Sequence, residues 1–121
     1  MENSIFVEAY ADKNPYATTV TYDGGKFIAD EKESAGGGGK GPNPGDLLAA
    51  SLATCTVITL KLYASRKGWS NENISTKVEM ISENGSTRFI RQINVDSSLT
   101  PDQRERMLQI AEKCPVHKIL S

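Results

Sequence analysis

The side chains with the widest chemical reach in this 121-residue chain are two cysteines, Cys55 and Cys114, and a single histidine, His117. A thiol acts as nucleophile, redox centre or metal ligand through its ionised form, so its surroundings decide among these uses. Cys55 lies in an apolar run, where a lone cysteine is ordinarily a small core residue. Cys114 precedes Pro115 at the expected start of a short helix, where free backbone N–H groups and the helix dipole favour a thiolate. The two cysteines are 59 positions apart, so only tertiary contact can pair them as attacker and resolver. Cys114 and His117 also have Cys-x-x-His spacing, which suits a Cys–His nucleophile pair or half of a metal site. A four-ligand zinc site would need Cys55 and a carboxylate besides. Spacing alone leaves redox pair, metal site and inert thiols open.

The elements that must position these residues can be read from periodicity and turn chemistry. Alternation over 5–10, 18–22 and 26–30, with Asp23-Gly24-Gly25 between the last two, predicts a strand followed by a hairpin. The glycines from 36 to 41 predict a flexible loop. Gly36, Gly38 and Gly41 fit G-x-G-x-x-G, but no parallel strand–helix unit surrounds them and Pro42 and Pro44 remove donors, so dinucleotide binding is not expected. Asn43 as cap, Pro44 at the first helical position and Asp46 near the positive end of the dipole predict a helix to about Lys67, stopped by Gly68. Its middle is apolar or small on every side, so a central, buried position is expected, with more apolar surface than one small chain readily covers. Strands over 74–81 and 87–95, joined by Glu83-Asn84-Gly85, make a second hairpin; Arg91 falls among the inward Phe89, Ile93 and Val95. Thr100-Pro101-Asp102-Gln103 reads as a capping box opening a helix to about Lys113.

Composition narrows the class. One domain spanning 1–121 is expected at this length, and the chain is long enough to bury a core without crosslinks or metals. Hydrophobic residues at 38% and charged residues at 24% exclude a disordered acidic chain and a disulfide-dense scaffold. With 14 Lys+Arg against 15 Asp+Glu there is no basic footprint, so neither nucleic acid nor an anionic membrane surface is expected as a partner. The longest uncharged stretch, between Asp46 and Lys61, is shorter than the roughly 20 residues of a membrane span. Met1-Glu2-Asn3-Ser4 lacks a basic, then apolar, leader pattern, so a cytoplasmic location is expected, where a permanent disulfide is not.

Two blocks, GPNPGDLLAASLATCTVITLKLYASRKGW and TPDQRERMLQIAEKCPVHKIL, resemble the OsmC/Ohr family of osmotically induced and organic-hydroperoxide-resistance proteins. The resemblance implies an α+β fold in which two antiparallel sheet regions wrap central helices in an intertwined homodimer. It implies a peroxidase in which Cys55 attacks a hydroperoxide, becomes a sulfenic acid and condenses with Cys114 to a disulfide that a thiol reductant reopens, with no cofactor or metal. The known peroxidases place a glutamate just after the Asn-Pro pair, where this chain has Gly45 and then Asp46. They also carry an arginine in the N-terminal third, whereas the first arginine here is Arg66. Supporting roles are therefore expected of Asp46, Arg91 and His117, and the Cys-Pro-Val-His block points to an OsmC-like branch. The alternative reading is a non-catalytic relative that binds a small apolar ligand at the dimer interface. The residues and the resemblance also disagree on one point. Burial and helix position make Cys114 the thiol easier to ionise, whereas the resemblance makes Cys55 the attacker.

Overall fold

A computed structural model describes residues 4–121; Met1, Glu2 and Asn3, used above for the leader pattern, lie outside the described residues. The chain forms two compact units, the first ending at Leu47 and the second running from Leu48 to Ser121.

The first unit is an antiparallel meander of β1 (Glu8–Ala11), β2 (Thr18–Tyr22) and β3 (Gly25–Ala29). Gly24, at φ 97°, closes the β2–β3 turn, and the register sets Val20 opposite both Ala9 and Phe27. The first strand starts later than the alternation predicts. Glu8 already faces Thr21, and β2 turns back one residue later at Tyr22, so Ile5 and Phe6 find no ladder and stay exposed.

The glycine segment is more structured than a flexible loop. Residues Glu33–Ala35 form a 3-10 turn ending on Gly36 at φ 93°. The buried Asp30 carboxylate accepts from the N–H groups of Glu31 (2.7 Å), Gly38 (3.2 Å) and Lys40 (3.2 Å). Burial alone would raise its pKa, but these N–H donors and the Lys40 charge outweigh it and hold the carboxyl below its usual range. A Cβ at Gly37 would collide with the Glu31 carbonyl, so only glycine lets this backbone close on Asp30.

Helix α1 (Pro44–Lys67) opens as the sequence predicts, with a reciprocal cap: Asn43 Oδ1 accepts from Asp46 N (2.7 Å) and Asp46 Oδ2 from Asn43 N (3.0 Å). It closes at Gly68, φ 71°, where Trp69 N–H bonds back to the Ala64 carbonyl. The expectation of a helix buried all round needs correction. Within this chain only the stripe Leu52, Thr56, Leu60 and Ala64, one residue per turn, is buried, while Leu48, Ile58 and Leu62 are exposed. By length and composition the 24-residue helix is long and apolar enough to cross a membrane, a test that core helices also pass.

In the second unit β4 (Ser75–Glu83) and β5 (Ser86–Asn94) form a hairpin whose turn residues Asn84 and Gly85 have φ of 50° and 81°, the geometry that Asn-Gly favours. Thr100 and Gln103 make the expected capping box of α2 (Pro101–Ala111), which ends two residues short of the predicted Lys113. Cys114 caps α3 (Pro115–Leu120). Leu60, Ala64, Leu99, Met107, Ile110 and Ala111 form the core, flanked by Tyr63, Trp69, Ile74, Ile93 and Val95.

Candidate active site

The period of α1 supplies the first half of the site. Positions 52, 56, 60 and 64 form its buried stripe, and Thr56 is the one polar member. Its hydroxyl donates to the Leu52 carbonyl at 2.7 Å and also lies 4.0 Å from Cys114 Sγ. Cys55, next in sequence, is half-buried with Thr59 Oγ1 at 4.0 Å. Cys114 is completely buried. Both thiols are free, and they are near enough for each to shift the other's ionisation.

The strand period supplies the second half. Arg91 stands on the inward face of β5, as predicted, and its side chain is 10% exposed. Nη1 donates to Thr56 Oγ1 (2.9 Å) and to the Ala111 carbonyl (3.1 Å), and Nη2 to His117 Nδ1 (3.1 Å). A guanidinium only donates, so Nδ1 must be the accepting nitrogen and Nε2 carries the proton. That proton points at Glu112 Oε2, 2.7 Å away. A continuous polar chain thus runs from the exposed Glu112 through His117, Arg91 and Thr56 to the buried sulfur of Cys114.

The two sulfurs have opposite electrostatics. Burial pushes the Cys55 thiol up, and its role as donor to Cys114 adds to this, against weaker help from the Val116 N–H and Thr59. Burial acts in the same sense on Cys114. There it is outweighed by hydrogen bonds from the Cys55 thiol, the N–H groups of His117 and Val116 and the Thr56 hydroxyl, so the Cys114 pKa falls. The residue-level reasoning, with Cys114 the easier thiol to ionise, agrees with this order.

Cys55, Cys114, Arg91 and His117 therefore come together in the second unit. Asp46, the remaining expected supporter, has its carboxylate engaged by the Asn43 N–H at the helix start. Thr56 and Glu112 were not singled out from the sequence. The signal for Thr56 was available: a hydroxyl at four-residue spacing between Leu52 and Leu60, on the stripe that must be buried. Beside the cluster is a cavity of about 270 Å³ whose lining includes the apolar Leu52, Phe89 and Leu120 together with Arg88, Arg91 and His117.

The family model for OsmC-like proteins matches residues 37–121, which include both cysteines and all of this polar chain. The chain belongs to the OsmC/Ohr family. Solved structures of the family share its fold at low sequence identity. An OsmC-like protein from Mycoplasma pneumoniae is 18% identical, with a TM-score of 0.84, over 99% of this chain and 89% of its own. The organic hydroperoxide resistance protein OhrB of Bacillus subtilis is 23% identical, with a TM-score of 0.63, over 97% of this chain and 90% of its own. A Legionella pneumophila organic hydroperoxide resistance protein is 22% identical, with a TM-score of 0.65, over 98% and 89%. No curated protein matches the sequence. The α+β class and the two antiparallel sheet regions expected of an OsmC/Ohr protein are present.

Proposed function

We propose that this OsmC/Ohr protein is a thiol-dependent peroxidase that reduces organic or other small hydroperoxides, with Cys55 attacking and Cys114 resolving. The observation that carries this reading is the meeting of two free thiols, distant in sequence, beside a buried arginine. The attacking sulfur must meet its substrate, and Cys55 is the one with exposed surface. Loss of its proton makes Cys55 the nucleophile, since only the thiolate attacks. It bonds to the terminal peroxide oxygen, the O–O bond breaks, and the alkoxide leaves and takes a proton as alcohol. Cys114 then attacks the Cys55 sulfenic acid. The S–O bond breaks, water leaves with a second proton, and the S–S bond forms. The peroxide gains two electrons and the sulfurs lose two; an external thiol reductant returns them. A reducing, cytoplasmic setting suits such a cycle.

The exposed Leu48, Ile58 and Leu62 support the second part of the reading, a homodimer that covers α1. The alternative, a non-catalytic protein that binds a small ligand, draws on the cavity beside Phe89 and Leu120. Intact mass after one equivalent of an organic hydroperoxide separates the two. The peroxidase loses two hydrogens per chain and both thiols, and Cys114→Ser stops at a sulfenic acid on Cys55. Unchanged thiols would leave only the binding reading, and a monomeric mass by light scattering at micromolar concentration would refute the dimer.

A further inference from the structure

Cys114 sits in a turn that one guanidinium grips from both sides. Ala111, three residues before it and the last residue of α2, offers its carbonyl to Arg91 Nη1 at 3.1 Å, and His117, three residues after it on α3, offers Nδ1 to Arg91 Nη2 at 3.1 Å. The same Nη1 donates to the hydroxyl of Thr56, next in sequence to Cys55, at 2.9 Å. Glu112, inside the turn, closes the ring: its Oε2 takes the His117 Nε2 proton at 2.7 Å and pairs with Arg91 Nη2 at 3.9 Å. Apolar packing within the chain supplies little of this hold. No residue of α3 is buried and Ile119 is exposed, while the buried residue is the cap itself, Cys114.

We propose that Arg91 is the positioning residue of the second thiol: by bracketing the Cys114 turn and tying it to Thr56, it keeps Cys114 beside Cys55 and raises the effective concentration of one thiol at the other. Two groups held in place react as if each were present at high concentration, whereas the same groups on a loose segment do not. The bracketing bonds end on Thr56 Oγ1, the Ala111 carbonyl and His117 Nδ1 and use neither sulfur, so closing an S–S bond leaves them in place. The role needs the arginine fork rather than a positive charge as such, because an ammonium is a compact point donor that cannot span acceptors on three helices. The pairing can be stated without peroxide. Oxidised glutathione takes two electrons and two protons from the thiols and leaves as two reduced glutathiones while the S–S bond forms. The bearing on peroxide chemistry rests on the function proposed above: there Cys114 displaces water from the Cys55 sulfenic acid, and must do so before a second peroxide oxidises that sulfur to the sulfinic acid.

The test is the equilibrium between the reduced and Cys55–Cys114 disulfide forms of the full-length chain in buffers of reduced and oxidised glutathione, read by intact mass after acid quench, which gives the effective concentration of the pair. His117→Ala, Arg91→Met and Arg91→Lys should each lower it about tenfold, the loss expected when a hydrogen bond to a charged group is removed. His117→Asn, whose side-chain carbonyl takes the place of Nδ1 as acceptor, should return it to within about threefold of the parent. A role confined to overall stability would lower the urea midpoint of these variants without moving the effective concentration. An effective concentration unmoved in His117→Ala, or in either arginine variant that folds by circular dichroism, overturns the proposal; His117→Ala decides alone if the arginine variants fail to fold. An asparagine variant no better than alanine overturns it as well, and so does a parent that forms no disulfide. Hydroperoxide consumption is measured separately: an effective concentration that depends on Arg91 and His117, without consumption, upholds the role of Arg91 and refutes the peroxidase.

Discussion

Closing a Cys55–Cys114 disulfide should stabilise the protein, and by less than the loop length alone predicts. The bond would close a loop of about 60 residues, for which the loss of unfolded-state entropy is worth roughly 4 kcal/mol. Oxidation also removes the two thiol protons and disturbs the hydrogen bonding around the buried sulfur beside Thr56, at a cost of about 1 kcal/mol. The difference is about 3 kcal/mol, or a rise in Tm of roughly 10 °C for a chain of this size. The assay is calorimetry of the reduced protein and of protein oxidised with one equivalent of an organic hydroperoxide, both at one protein concentration because association shifts Tm. Cys114→Ser supplies the control: with no disulfide to close, its Tm should not rise on oxidation. An oxidised parent that melts no higher than the reduced one, or an equal gain in Cys114→Ser, would refute the pairing.

Three further outcomes follow from the second unit. Met107 is fully buried among Leu60, Leu99 and Ile110, so Met107→Ala should lower stability by about 2–5 kcal/mol, read as a fall in the urea midpoint. Thr100 accepts from Gln103 N–H in the α2 capping box, so Thr100→Ala should cost about 1 kcal/mol in the same assay, and Thr100→Ser much less. The N–H and hydroxyl of Ser98, with the Ser70 hydroxyl and the Asn73 amide, lower the Asp96 pKa to about 2, well below the usual carboxylate range. A depressed carboxylate contributes its stability above the unfolded value and loses it as pH falls towards 2. Between pH 5 and 2 the parent should therefore lose more Tm than Asp96→Asn, and parallel curves would contradict the assignment.

The turns and helix ends were legible in the sequence because their determinants are local. Asn43 with Asp46, Thr100 with Gln103, Gly68 and Asn84-Gly85 each act within a few residues, and each is found in its predicted role. Local determinants also explain the misses. The first strand was drawn from its own alternation, but a strand exists only where a partner runs beside it, and β2 turns at Tyr22 before it can pair with Ile5 or Phe6. The glycine segment was read as flexible from composition, which carries no sign of an aspartate at position 30 able to collect three N–H groups from it.

The site was half legible for a related reason. Period-two alternation put Arg91 on the inner face of β5, and the cysteine blocks marked Cys55 and Cys114, but each was a residue without a partner. Sequence assigned Arg91 as a support for thiol chemistry without naming the atoms it would bond, since these lie 35, 20 and 26 positions away at Thr56, Ala111 and His117. The family's pattern, with an arginine in the N-terminal third, made the absence of one there look like a missing part. In the folded chain a buried guanidinium arrives from β5, and its hydrogen bonds lead through Thr56 to the second sulfur. A residue read in its own segment shows none of this, because the three acceptors that place the guanidinium come from α1, α2 and α3 and meet it only when those helices pack against β5.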